Sequence, residues 1–189
     1  MGRPKLIDRE NATDSALQVF WRKGFVDTSL KDLEKATGVF KPALYSEFGD
    51  KEGLFIECVK HYRNKYSSRL KLLNEPLGWN NIEAFLRSTL PDKQGRGCFE
   101  SSAFARDLPI LPEKLKPLLD ANADNITAAI KNNLKAAQVK PSHLDDLTEN
   151  VFTIYCGIGV LVNSQSKSKV EKRIENALRL LRSSIGETK

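Results

Sequence analysis

The chain predicts an all-α fold, on three observations. Apolar residues recur at helical spacing along most of the length. Strand-like alternation is rare and β-branched residues do not cluster. Glycine and proline punctuate the sequence at short intervals. With 189 residues, 40% hydrophobic and 29% charged, the chain is long enough to bury a sizeable core. About nine helices are expected.

The elements follow in order. Ala12, Ala16, Val19 and Phe20 form one face of a first helix, stopped by Gly24. Leu30, Leu33 and Ala36 mark the inner face of a short second helix, with Ala36 expected where two helices cross closely. Ser29, followed three residues later by Asp32, reads as its capping box, and Gly38 ends it. Pro42 lies in the first turn of a short third helix, where a missing N–H costs nothing. Leu44 and Phe48 face inward there, leaving Lys41, Ala43, Tyr45 and Ser46 outside. Gly49 breaks this helix, and Asp50 is suited to cap a long fourth one carrying Leu54, Phe55, Cys58, Val59, Tyr62 and Tyr66. Farther on, breaks at 75–78, 91–97, 109–112 and 140–142 separate helices expected near 81–90, 98–108, 113–138, 143–163 and 168–185.

Composition narrows the function. The net charge of +6 favours polyanionic partners. Residues 1–66 carry 12 Lys and Arg against 10 Asp and Glu, so the charge is not concentrated there. No apolar run reaches the roughly 18 residues of a membrane span, so no membrane partner is expected. Residues 1–8 show no signal-peptide core, and Cys58, Cys98 and Cys156 are an odd number without a paired spacing. A cytoplasmic location is expected. His61 and His143 sit in no metal spacing, and no phosphate loop or nucleophile elbow is present. Neither an enzyme, a metal site nor a cofactor is therefore expected.

The most informative stretch is 28–48, two short helices joined by a tight turn at Gly38-Val39. By spacing alone it fits both a helix-turn-helix and an ordinary helical hairpin. The wider string settles the reading: Gly24-Phe25, Thr28-Ser29, Ala36-Thr37-Gly38-Val39, Leu44-Tyr45, and Phe48-Gly49-Asp50-Lys51-Glu52-Gly53-Leu54-Phe55 in strict register. Over residues 6–66 it closely resembles the DNA-binding domain of the tetracycline-repressor (TetR) family of bacterial regulators. The resemblance implies a DNA-reading domain over 1–50 and a helical effector-binding and dimerisation domain over 51–189. It also implies a homodimer that represses transcription from a near-palindromic double-stranded operator and is released by a small-molecule effector. Thr28, Tyr45 and Lys51 are the implied phosphate contacts, with Ser29 beside them. Phe40, Lys41, Pro42 and Ala43 form the implied base-facing turn. Phe40 departs from the family, which often has a capping Ser or Asn there; its ring either meets the DNA or folds back on the domain. Arg3 and Lys5 resemble a minor-groove arm.

In the C-terminal part, the resemblance assigns a dimer surface to the last two helices. Leu147, Val151, Ile154, Ile158 and Leu161, with Gly157 among them, form one stripe; Ile174, Leu178 and Leu181 form the other. Gly157 and Gly159 suggest close backbone approach to another helix. Tyr62, Phe85, Phe99, Phe104 and Tyr155 are aromatics available to an effector pocket. Cys98 follows Gly95-Arg96-Gly97 at a helix start and is either a sensing thiol or a small structural residue. Cys58 and Cys156 are expected to be protected. Two alternatives stay open: a helical interaction protein whose reading head has decayed, and a thiol-based redox-sensing regulator.

Overall fold

The computed structural model describes residues 7–92, 95, 97–100, 107 and 110–183. Among these, eight α-helices occur and no strand: α1 (Arg9–Lys23), α2 (Leu30–Thr37), α3 (Lys41–Phe48), α4 (Lys51–Lys65), α5 (Trp79–Arg87), α6 (Lys116–Ala136), α7 (Pro141–Leu161) and α8 (Lys167–Ser183). 3-10 segments also occur at Ser68–Leu73 and Glu113–Leu115. Of the helix expected at 98–108, residues 99, 100 and 107 are helical and 101–106 lie outside the described residues.

The chain forms two compact units. The first runs to Tyr66 and includes the stretch around Asp107 that ends at Glu113; the second holds the rest from Ser67. The expected boundary at residue 50 therefore falls inside the first unit. The reason is packing: Leu54, Phe55, Cys58, Val59 and Tyr62 of α4 are buried, and α4 contacts α1 and α3. Phe55 meets Phe20 edge-on with centroids 4.9 Å apart, and the Cys58 thiol donates to Thr13 O at 3.5 Å.

Side chains fix the helix ends of this unit. Asp8 accepts from Asn11 N–H at 3.0 Å, and Asp50 accepts from Gly53 N–H at 2.7 Å. The Ser29–Asp32 capping box is complete. Gly53 is dictated by space, because a Cβ there would stand 2.0 Å from Phe48 O. Ala36 is exposed, contrary to the expectation of a close crossing; Leu33 alone is fully buried on α2.

The second unit packs α5 to α8 around Phe85, Leu86, Ile130, Leu134, Val151 and Ile174. Asn133, fully buried on α6, ties this unit together. Its Oδ1 accepts from Gly78 N–H at 2.9 Å and from Asn81 Nδ2 at 3.0 Å, while its Nδ2 donates to Leu72 O at 2.8 Å.

Candidate nucleic-acid interface

The first unit presents a helix-turn-helix. Gly38 takes the left-handed conformation, φ +68°, and its N–H donates to Glu34 O at 2.9 Å, closing α2. Only glycine adopts this at little cost. Phe40 precedes α3 and supplies no side-chain cap. Glu34 replaces it: its Oε1 accepts from the Lys41 N–H at 2.6 Å. Pro42 has no N–H, and Ala43 and Leu44 donate to Phe40 O at 3.0 Å. Each backbone donor of the first turn is thus accounted for, with none left over for a phosphate. Leu44 and Phe48 hold the inner face, and the Arg9 guanidinium lies 4.8 Å from the Phe48 ring centre while pairing with Glu47 and with Glu57 at 3.2 Å.

The outer face of this turn is open. Phe40 is 79% exposed, so its ring does not fold back on the domain. Lys41, Pro42 and Ala43 are exposed beside it. Tyr45 is half-buried, with the Lys41 ammonium 5.4 Å from its ring centre.

Two expected phosphate contacts are placed differently. Thr28 is 1% exposed, and its hydroxyl donates to Gly24 O at 2.6 Å, so its side chain is a turn fastener rather than a surface donor. Lys51 stands at the first position of α4, but its ammonium folds onto the α1–α2 loop. It donates to Val26 O at 3.3 Å and lies 4.7 Å from the Phe25 ring centre. Burial pushes its pKa down, opposed by Asp107 and Asp27. Ser29 is exposed, yet its hydroxyl is engaged in the capping box. Glu34 is a functional residue beyond the expected set; its signal in the sequence is a carboxylate seven residues before an uncapped helix start. Arg3 and Lys5 lie outside the described residues.

Four of the five aromatics expected in a pocket fall among the described residues. Tyr62 belongs to the first unit, packed edge-on against Trp21 at 5.3 Å. Phe85 and Phe99 are fully buried in the second unit, and Phe85 stacks on Tyr155 at 4.4 Å. They are core there. Phe104 lies outside the described residues. Cys98 is buried, with Sγ 3.6 Å from the Tyr155 hydroxyl. Cys156, expected to be protected, is exposed, although partial burial first and Cys98 second push its thiol pKa up. Burial raises Cys58 well above the ordinary thiol value.

The expected dimer stripes split in two. Val151 and Ile174 are fully buried within the chain, and Leu147, Ile158, Leu178 and Leu181 nearly so; these are intrachain core. What remains outside is a flank: Ile154 and Leu161 half-buried, Gly157 exposed, with Val160 at 55% and Leu180 at 63% exposure. A groove of about 610 Å³ runs between α7 and α8 along this flank, with Asn150, Arg173 and Asn176 on its walls. A Cβ on Gly157 would meet nothing within 4 Å among the described residues, so there is open space beside it. Gly159 is buried.

These features define a helix-turn-helix protein with an appended helical unit. Residues 12–58 match the family of bacterial regulatory proteins, tetR family. The likeness to this family lies in the N-terminal helix-turn-helix domain. It is 46% identical over 68 residues to the HTH-type transcriptional repressor ComR of Escherichia coli (strain K12), covering 36% of this chain and 32% of that protein. It is 35% identical over 122 residues to the uncharacterized HTH-type transcriptional regulator YezE of Bacillus subtilis (strain 168), covering 60% and 61%. The chain thus spans less than two thirds of these relatives. The fold matches the TetR family transcriptional regulator CifR, a cysteine mutant complexed with 26-base-pair operator DNA, with a TM-score of 0.76 at 24% identity. That match covers 94% of this chain and 98% of that one. No helix among the described residues is long and apolar enough to cross a membrane.

Proposed function

We propose that the chain is a cytoplasmic, homodimeric transcriptional regulator that represses by occupying a near-palindromic double-stranded operator and leaves it when a small-molecule effector binds the second unit. The observation that carries this reading is the bare turn of Phe40, Lys41, Pro42 and Ala43 on a helix whose inner face is buried. Base edges are read by exposed side chains at the start of such a helix, and phosphates set its register. Lys41 and Tyr45 take phosphate or base contacts, and Phe40 meets a thymine methyl. Arg3 and Lys5 enter the adjacent minor groove. Thr28 acts through its fold contact.

The dimer forms through the exposed flank of α7 and α8, where Leu180, Val160 and Gly157 leave room for the same surface of a second copy. Selection of bound duplexes from a random pool tests the reading. It should return a near-palindrome with half-sites about one helical turn, or a multiple of it, apart. Recovery of no preferred sequence would remove the reading. Leu180→Asp should yield monomers by light scattering and lose tight operator binding; an intact dimer would place the interface elsewhere.

A further inference from the structure

The loop between α1 and α2 is held from a distant part of the chain. Asp107 is 4% exposed, and its Oδ2 accepts from the Phe25 N–H at 2.7 Å and the Val26 N–H at 3.4 Å, across 82 and 81 residues. The Lys51 ammonium rests on the same two residues, bonded to Val26 O and lying over the Phe25 ring. Asp107 and Asp27 are the carboxylates that face it. A carboxylate bonded to backbone N–H groups is a strong and directional anchor. The loop it anchors runs directly into Thr28 and Ser29, where α2 begins. The stretch carrying Asp107 packs with the first unit, yet the chain continues from it into the second unit in both directions.

We propose that Asp107 is a positioning residue for DNA binding: its carboxylate clamps the α1–α2 loop and keeps Lys51 turned onto that loop, and loss of the contact hands Lys51 to a phosphate. The inference rests on the DNA-binding reading above and names the residue that sets the availability of one cation. A lysine folded onto the protein releases no counterion on binding, whereas one on a phosphate adds about 0.9 to the slope of log K against log salt. Asp107 therefore tunes the electrostatic part of the affinity without touching DNA.

Two variants separate clamp from charge. In Asp107→Asn the amide oxygen still accepts from the Phe25 N–H while the negative charge is gone; Asp107→Ala removes both. The first measurement needs no DNA. Amide hydrogen exchange at Phe25 and Val26 should accelerate about tenfold or more in Asp107→Ala, with α7 unchanged. Unchanged exchange would overturn the clamp. The second uses a random-sequence duplex of about 30 base pairs and reads the salt slope. Lys51→Ala should change the slope little in the wild-type chain and make it shallower by about 0.9 in the Asp107→Ala background, while Asp107→Asn, which keeps the loop contact, should follow the wild type. A residue with a merely structural role would alter affinity without this Lys51-dependent split, so equal effects in both backgrounds would overturn the coupling. A wild-type chain that binds no duplex at low salt would overturn the DNA-binding reading and the Lys51 half of the inference. The exchange result would then decide the clamp alone.

Discussion

The two units hold their helices by different means. In the first, helices of 15, 8, 8 and 15 residues begin at Asp8, Ser29, the Glu34-capped Lys41 and Asp50, each start satisfied by a side-chain oxygen. In the second, α5, α6 and α7 begin at Gly78, Leu115 and Lys140 with no side-chain cap, and α6 and α7 run 21 residues each. An eight-residue helix has too few internal bonds to offset nucleation, so its ends must be fixed. A 21-residue helix with a wide buried stripe draws its stability from packing, and its ends matter less. Short, end-fixed helices also present their first turns in a defined geometry, as a surface that reads DNA requires.

This contrast can be broken at its strongest point by Phe85→Ala in the second unit. The ring is fully buried and stacked on Tyr155, so its loss should cost about 3–5 kcal/mol in a urea titration. A cost below about 1 kcal/mol would mean that packing does not dominate there. Next in size is Gly53→Ala in the first unit. The added methyl would collide with Phe48 O, and overpacking of this kind costs about 1–3 kcal/mol. A stabilised variant would show that α3 and α4 can part without penalty.

Lys140→Asp sharpens the comparison from the other side. Lys140 is exposed and already has the extended backbone of a helix cap, so an acceptor there should add about 0.5–1 kcal/mol to thermal stability. No gain would mean that α7 is insensitive to its end. The smallest effect concerns acid. The Lys23 ammonium, and then Ser29, hold the Asp32 carboxyl well below its ordinary value of 3.8. A depressed folded-state pKa contributes stability above the unfolded value and loses it as pH falls through the folded one. Wild type should therefore lose more melting temperature than Asp32→Asn between about pH 5 and pH 2. Because the pair is exposed, added salt should shrink the difference; parallel acid curves would remove Asp32 from the account.

The same contrast explains what was legible in the sequence. Caps and turn glycines act within a few residues, so Ser29, Asp32, Gly38, Gly49 and Asp50 were readable where they stand. Residue type and register put Thr28 and Lys51 on the surface, since neither reveals a bond to Gly24 O or Val26 O. Asp107 carried no signal at all, its partners being 81 and 82 residues away. In the second unit, periodicity identified Val151, Ile174 and Leu178 as apolar but does not distinguish a chain's own core from a surface shared with another chain. Val160 and Leu180, the most exposed apolar residues of that flank, lie off the buried stripe, where helical periodicity gives no signal.

The bond from Glu34 to the start of α3 has a consequence for how the protein can change. Residue 40 occupies a cap position but carries no capping duty, since a side chain on the preceding helix performs it. Folding therefore places little constraint on which amino acid stands there. Under the proposed DNA-binding reading, substitutions at this site meet selection through the operator, almost uncoupled from stability. A lineage bearing Glu34 can drift between operators by altering one outward residue, whereas one that caps with residue 40 itself must trade recognition against a stable helix.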